Sequence, residues 1–467
     1  MSKKRVSRRE VVAAEMAGVD LGDRRRNKRS QEIAAHLADA PEASLPDAMH
    51  DNAKLEALYR HLSSEGVAFD KLLMSHLLRT AGRVAAMTGE AYALHDTTAC
   101  TFSGEGEREG VGVVNGEKQG FFAHASLIVS ADGERTPLGL LACELWTREG
   151  AQDLGECESA RWLRGVERTS DAVGDVRKLI HVADRESDMY ELLSAMIANG
   201  NRFIVRAKQD RAVEIEGEGR SYLFAAARET RPLYSLDVPV SKRTEKRSGA
   251  LPSAHPDREA RVADLSFAAL KVSLRRPRKP TRPGMPARLE VNVVHVFEIG
   301  KPAGEPPIEW LLITSEPIET REQIAAVIEG YRTRWTIEEY FKALKTGCGF
   351  EKRQLESFRT LTNLLAYSLV VAYALLLLRA LARDEAEVPA DAVLSSDQIL
   401  CLGLMTKGKP VTIERAREAI ALIAQLGGHI KNNGDPGWRV LSRGWKRLLD
   451  FEAAYQAMKD AGLVINR

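Results

Sequence analysis

At 467 residues the chain is too long for one core of ordinary size, so two or three domains are expected. With 44% hydrophobic and 28% charged residues it can bury a core unaided, and its five scattered cysteines form no CxxC pair, which argues against a disulfide framework or zinc knuckle and suits a reducing cytoplasm. A formal net charge of +2 conceals two basic blocks: residues 1–29 hold ten Lys or Arg against four acids and residues 241–290 thirteen against five, as expected for contact with a polyanion such as nucleic acid, or for solvated tails and loops.

The opening MSKKRVSRRE has no apolar stretch and does not read as a secretory signal. Helical periodicity follows in KRSQEIAAHLADA, KLEALYRHLSS and AFDKLLMSHLLRTAGRVAA, separated by APEASLPDAM; this predicts an all-α domain over 1–88 with RRRNKR at its leading edge. After Gly89 the pattern becomes that of strands: AYALHDTT, FFAHASLIVS and PLGLLACELWT. A helix around 156–168 leads into KLIHVADRESDMYELLSAMIA, a short apolar strand running into a helix, and NRFIVRAK is a further strand. Residues 212–306 are polar, with strand-like LYSLDVPV, ADLSFAALKVSL and LEVNVVHVFEI; IEWLLITSE resumes the strands, and a long helix begins near Arg321. The run LLAYSLVVAYALLLL at 364–378 falls short of the ~20 apolar residues that span a bilayer, and reads as a buried core helix. The remainder is helical. The expected class is α/β: a mixed-sheet core over 89–380 interrupted by a β-rich insertion at 212–306, flanked by helical segments 1–88 and 381–467.

Three acids stand out. Asp96 and Asp184 each follow an apolar strand, which sets them at a sheet rim where α/β sites form, although an aspartate there also serves as a turn former or helix cap. Glu338 lies in YRTRWTIEEYFKALK. At about 100° per residue, with Tyr331 at zero, Arg334 falls near 300°, Glu338 near 340° and Lys345 near 320°, beside an apolar stripe of Ile337, Tyr340, Phe341 and Leu344. Glu339 lies about 100° further round and is expected to be dispensable. An i, i+4 pair accounts for Arg334 and Glu338 but not for Tyr331 or Lys345. Three carboxylates suit hard divalent cations, and two such ions support in-line phosphoryl transfer, with Arg334 and Lys345 as phosphate clamps and Tyr331 as a hydrogen-bond donor to phosphate.

The spacing Tyr-x2-Arg-x3-Glu-x6-Lys resembles the YREK signature of the DDE transposases of bacterial insertion sequences, in the insertion sequence four family. DTT at Asp96–Thr98 and DRExD at Asp184–Asp188 resemble that family's first two acidic motifs. LGDRRRNKR, WLLITSEP and the tail segments SSDQILCLGLMTKGKP and AQLGGHIK resemble its cut-and-paste branch, which moves composite antibiotic-resistance transposons. The resemblance implies an RNase H-like core in which Asp96, Asp184 and Glu338 bind two Mg²⁺ ions, Mn²⁺ substituting. It implies nicking, hairpin formation by the freed 3′-hydroxyl, hairpin opening and strand transfer into target DNA. By the same resemblance Tyr331, Arg334 and Lys345 contact end phosphates, and Trp310, with Trp335 as a second candidate, stacks on an extruded base. Arg206 and Lys208 contact the backbone, while Arg24, Arg25, Arg26, Lys28 and Arg29 help a helical N-terminal domain bind the terminal inverted repeat. The C-terminal helices around Trp445–Met458 are expected to form a homodimer, although the same apolar stripe could close its own domain. Rival readings are a nuclease of the same core without strand transfer, and a non-catalytic DNA-binding inhibitor.

Overall fold

The computed structural model describes residues 8–104, 106–114, 118–148, 157–217, 219–240, 242, 257–278, 284–305, 307–383, 388–430 and 436–463. Much of the second basic block, including Arg243, Lys246, Arg247, Lys279 and Arg282, lies outside these residues, as does the last residue of AQLGGHIK.

Five helices open the chain: α1 (Arg8–Met16), α2 (Arg24–Asp39), α3 (Leu45–Met49), α4 (Asn52–Ser63) and α5 (Phe69–Ala86). Three match the periodic segments. The other two, α1 and α3, are too short to stand on propensity alone. The five-residue α3 forms inside the Pro-containing separator because Ser44 caps Asp47 and Pro46 takes a first-turn position, where its missing N–H costs nothing. Strands β1 (Ala91–Phe102), β2 (Gly112–Val114), β3 (Lys118–Ser130) and β4 (Pro137–Trp146) follow, then α6 (Cys157–Val173), β5 (Leu179–Ala183), α7 (Tyr190–Ala198) and β6 (Arg202–Arg206). Residues 212–306 supply β7 (Ala212–Ile215), β8 (Gly219–Tyr222), α8 (Leu223–Glu229), β9 (Tyr234–Val240), β10 (Arg261–Arg275) and β11 (Arg288–Ile299). After β12 (Glu309–Thr314) come α9 (Arg321–Thr333), α10 (Trp335–Lys342), α11 (Phe358–Arg383), α12 (Ser396–Lys407), α13 (Ala416–Leu426) and α14 (Trp438–Asp460).

The chain forms two compact units. One comprises residues 1–91, 97–156 and 335–467; the other comprises residues 92–96 and 157–334. In the first, β3 pairs with β2 and β4, and helices from both ends of the chain surround α11. By length and composition Phe358–Leu381 is long and apolar enough to cross a membrane, so the short apolar run was not the deciding feature. Burial decides: 83% of its most apolar window is covered by protein, which makes it a core helix. Polar contacts fix the neighbours around it. Ser30, His61 and Tyr367 form a closed buried triangle of hydrogen bonds at 2.9 to 3.1 Å that ties α2 and α4 to α11. Glu15 of α1 accepts from His76 at 2.7 Å and from Arg83 at 2.7 Å, while His76 Nε2 accepts from the Leu140 amide at 3.0 Å. That network explains why a nine-residue helix is stable here. In the tail, Trp445 and Leu448 are buried in a cluster with α12 and α13, whereas Phe451 and Met458 are exposed, so the stripe mainly closes its own core. Gly427 and Gly444 let α13 and α14 touch backbone to backbone: a Cβ on Gly444 would stand 1.8 Å from the Ile423 carbonyl oxygen.

The second unit is built on the order β1-β5-β6-β12-β11-β10-β7-β8, with β9 on β10. β5 and β6 are parallel and the other registered pairs antiparallel, giving a mixed sheet. Its core, centred on Tyr190, Phe203, Leu223 and Val293, is shared by α6, α7, α8 and the strands. The insertion is therefore continuous with the core sheet through β11 and β12.

Candidate active site

Within the second unit the first two acids are carried by neighbouring strands. Asp96 ends the segment of β1 that belongs to this unit, and Asp184 follows β5. One residue before Asp96 and three before Asp184, His95 and His181 meet in a buried hydrogen bond of 2.9 Å. Burial drives His181 down to about 4, so its imidazole is neutral, and the hydrogen bond fixes the stagger of the two strand ends. His181 also meets Ser170 of α6 at 3.3 Å.

Asp184 caps the turn that follows it. Its carboxylate accepts from the Glu186 amide at 2.9 Å, and the Ser187 hydroxyl donates to its carbonyl at 2.7 Å. The capping alternative thus holds for a single turn, and half-burial leaves the side chain accessible for other work.

The last acid of DRExD has a different role. Asp188 is buried; Oδ1 accepts from Arg211 Nη2 at 2.6 Å, and Oδ2 accepts from the Lys208 and Gln209 amides at 2.7 and 2.8 Å. It clamps the end of β6 to the turn that carries Asp184. The sequence reading singled out only the first acid of this motif; the signal available was that its fifth position is also acidic.

The end of helix α9 brings Arg334 to Asp96. Gly330 permits the approach, since a Cβ there would lie 2.7 Å from the Ile204 side chain and 2.9 Å from the Tyr92 ring. Arg334 Nη1 donates to Asp96 Oδ2 at 3.2 Å. Tyr331 is buried and packs edge-on against Trp310 at 5.5 Å between ring centroids. Trp310 is half-buried, whereas Trp335 is 56% exposed.

The expectation of one continuous helix through YREK is corrected. α9 stops at Thr333, whose hydroxyl donates back to the Glu329 carbonyl at 2.9 Å, and the Arg334 amide tightens onto Tyr331. α10 then widens into a π-turn over Ala343–Gly347, closed by the Cys348 amide on the Ala343 carbonyl at 2.8 Å. A fixed 100° step therefore does not carry from Tyr331 to Lys345.

Glu338 and Lys345 belong to the first unit. Glu338 is half-buried. Lys345 donates to the Ala99 carbonyl at 2.5 Å and lies 3.5 Å from Glu351, which also accepts from the Thr101 amide and hydroxyl. Glu351, not foreseen, thus secures the far half of β1 and the lysine together. Glu339 pairs with Arg379 of α11, which in turn lies over the Trp438 ring at 4.8 Å.

Among the described residues no three His, Cys, Asp or Glu side chains converge as a metal cluster. Asp96 and Asp184 offer carboxylate oxygens, the donor type a hard divalent ion takes, on two neighbouring strands, and Arg334 lies 3.2 Å from the first. Arg206 donates to the Glu309 carbonyl at 3.0 Å, and Lys208 is exposed beside it.

In the first unit, Arg24, Arg25, Arg26, Lys28 and Arg29 are all exposed in the opening turns of α2. Cations at a helix N-terminus oppose the helix dipole. Asp23 offsets this by capping the Arg26 amide at 2.9 Å, and an external anion would offset it further.

The matches to known families fall on these same regions. A transposase DNA-binding model matches residues 8–67, and a transposase DDE domain model matches residues 160–375. Residues 8–67 are thus similar to a transposase DNA-binding domain and residues 160–375 to a DDE transposase domain. DDE transposase domains in general cleave DNA, transfer strands and depend on divalent metal. The DDE match includes Asp184, Arg206, Trp310 and Glu338 and begins after Asp96. A solved structure of a piggyBac transposase synaptic complex with hairpin DNA is 10% identical, covering 98% of this chain and 82% of that one at a TM-score of 0.36, a likeness too distant to carry further weight.

Proposed function

We propose that this chain is a DDE transposase, a cut-and-paste enzyme of the insertion sequence four type. It would bind the terminal inverted repeats through its N-terminal helices, excise the element by nicking and hairpin formation, and insert it by strand transfer. The observation that carries this reading is the placement of Asp96 and Asp184 on neighbouring strand ends, locked by the His95–His181 pair, with Arg334 held at Asp96. Asp96, Asp184 and Glu338 would hold Mg²⁺ or Mn²⁺, which when bound supplies charge stabilisation of in-line phosphoryl transfer. Arg334 then turns from Asp96 to a phosphate oxygen, and Lys345 exchanges the Ala99 carbonyl for another. Trp310, or the more exposed Trp335, offers a ring to an extruded base, which offsets an unstacking cost of a few kcal/mol. The exposed Phe451 and Met458 on α14 are the part of the tail stripe left for a homodimer contact.

The test uses purified protein, Mg²⁺ or Mn²⁺ and the DNA ends that flank the gene. Hairpinned ends are expected on a denaturing gel, and Asp184→Ala or Glu338→Gln should abolish them. Cleavage by either variant at the wild-type rate would remove that residue from the triad.

A further inference from the structure

The second unit contains a cleft of about 200 Å³ that none of the residues assigned above explains as a whole. Four cations line it: Arg185 from the turn after Asp184, Arg206 and Lys208 from β6 and the residue pair beyond it, and Arg228 from α8 of the insertion. Apolar Phe224 and Leu311 complete its walls, and Glu309 is its one acid. That acid is already committed, accepting both arms of Arg228 at 3.0 Å and lying 3.1 Å from His295. Arg206 uses the Glu309 backbone carbonyl, not the carboxylate. Among the described residues no acidic side chain pairs with Arg185, Arg206 or Lys208. Three uncompensated cations around one concavity repel each other, and an anion bound between them relieves that repulsion. The arrangement is also rigid where it needs to be, because Asp188 pins the Lys208 amide to the turn that carries Arg185.

We propose that this cleft is a phosphodiester-binding pocket, and that the insertion contributes to it a cationic wall, Arg228, and an apolar one, Phe224. The proposal rests on the reading of the chain as a DNA-cutting transposase. It adds Arg185 and Arg228 to the nucleic-acid contacts and gives the interrupting segment a direct part in holding the strand. Because Arg185 follows Asp184 in the chain, a phosphate held there belongs to a nucleotide close to the scissile one. The pocket reads charge and not base identity, so it serves any sequence.

The test is fluorescence anisotropy of the full-length chain on a labelled random-sequence duplex, over a salt series from about 50 to 200 mM. Arg185→Gln and Lys208→Gln should each lower the slope of log affinity against log salt by about one, and the double variant by about two. Arg228→Gln, which also leaves Glu309 unbalanced, should weaken binding more than either single change. Arg220→Gln, an exposed change on β8 away from the cleft, should leave slope and affinity as they are. Inorganic pyrophosphate should compete with the duplex in the wild type and lose potency in the double variant; pyrophosphate binding without any effect of these changes on DNA would reassign the pocket to free phosphate and overturn the proposal. A double variant with the wild-type slope would also overturn it while leaving the transposase reading intact. Failure of the unaltered chain to bind DNA at all would instead overturn that reading.

Discussion

Replacing Asp188 by alanine should be among the most damaging single changes in the second unit. The side chain is fully buried and Arg211 is 6% exposed, so the pair has no water to fall back on. Among the described residues, removal leaves a buried guanidinium with only the Asp188 carbonyl as partner, at 2.5 Å, and strips the Lys208 and Gln209 amides of their acceptor. Breaking one partner of a buried ion pair costs about 3–5 kcal/mol, and each orphaned amide adds about 1–3, with relaxation and water entry returning part of the sum. A net loss of about 4 kcal/mol is expected against a total stability of roughly 5–15. Urea unfolding measures the global loss, and hydrogen exchange of residues 203–211 reports the local one. Pairing Asp188→Ala with Arg211→Met removes the stranded charge and should recover about half the loss. A loss below about 1 kcal/mol with unchanged protection of the 207–211 amides would refute the clamp. Activity should fall with it, because Arg206, Lys208 and Arg185 lose their fixed relation to Asp184.

Two further outcomes are expected. Burial alone would raise the Glu15 carboxyl, but hydrogen bonds from His76 and Arg83 outweigh it and hold it at about 2. A depressed folded-state value contributes stability that is complete above the ordinary carboxylate range near 4.5 and lost as pH falls towards 2. Acid titration of the first unit should therefore show a loss of about 3 kcal/mol over that window, absent in Glu15→Gln; an identical acid profile in that variant would remove Glu15 as its source. Trp310→Ala should slow hairpin formation more than first-strand nicking on end DNA. Equal losses in both steps would show that Trp310 serves only to pack against Tyr331, and would pass the stacking role to Trp335.

The local elements of this protein were legible because they depend on spacing along the chain. Apolar runs marked β1, β3, β4, β5 and β6, the 3.6-residue period marked α2, α4 and α5, and the acids of DTT, DRExD and YREK stood out by position. The apolar run at 364–378 could be placed as a core helix, but its length was no safe guide, and only the layer of helices packed around it settled the matter. What spacing could not show are the partners brought together from distant parts of the chain. Asp188 with Arg211, Glu351 with Thr101, Glu339 with Arg379 and His95 with His181 join residues between 23 and 250 positions apart. Such pairs are chosen by which strands become neighbours, a property of the assembled sheet. The break at Thr333 and the π-turn before Cys348 have the same origin: a helix follows its ideal period until a hydroxyl, a glycine contact or a fixed partner rewards a departure from it. The sequence by itself therefore determined which side chains are on offer for the proposed phosphoryl transfer. The tertiary structure decided which of them stand on neighbouring strand ends, which hold the frame, and which cations are left without an acid and so await a phosphate.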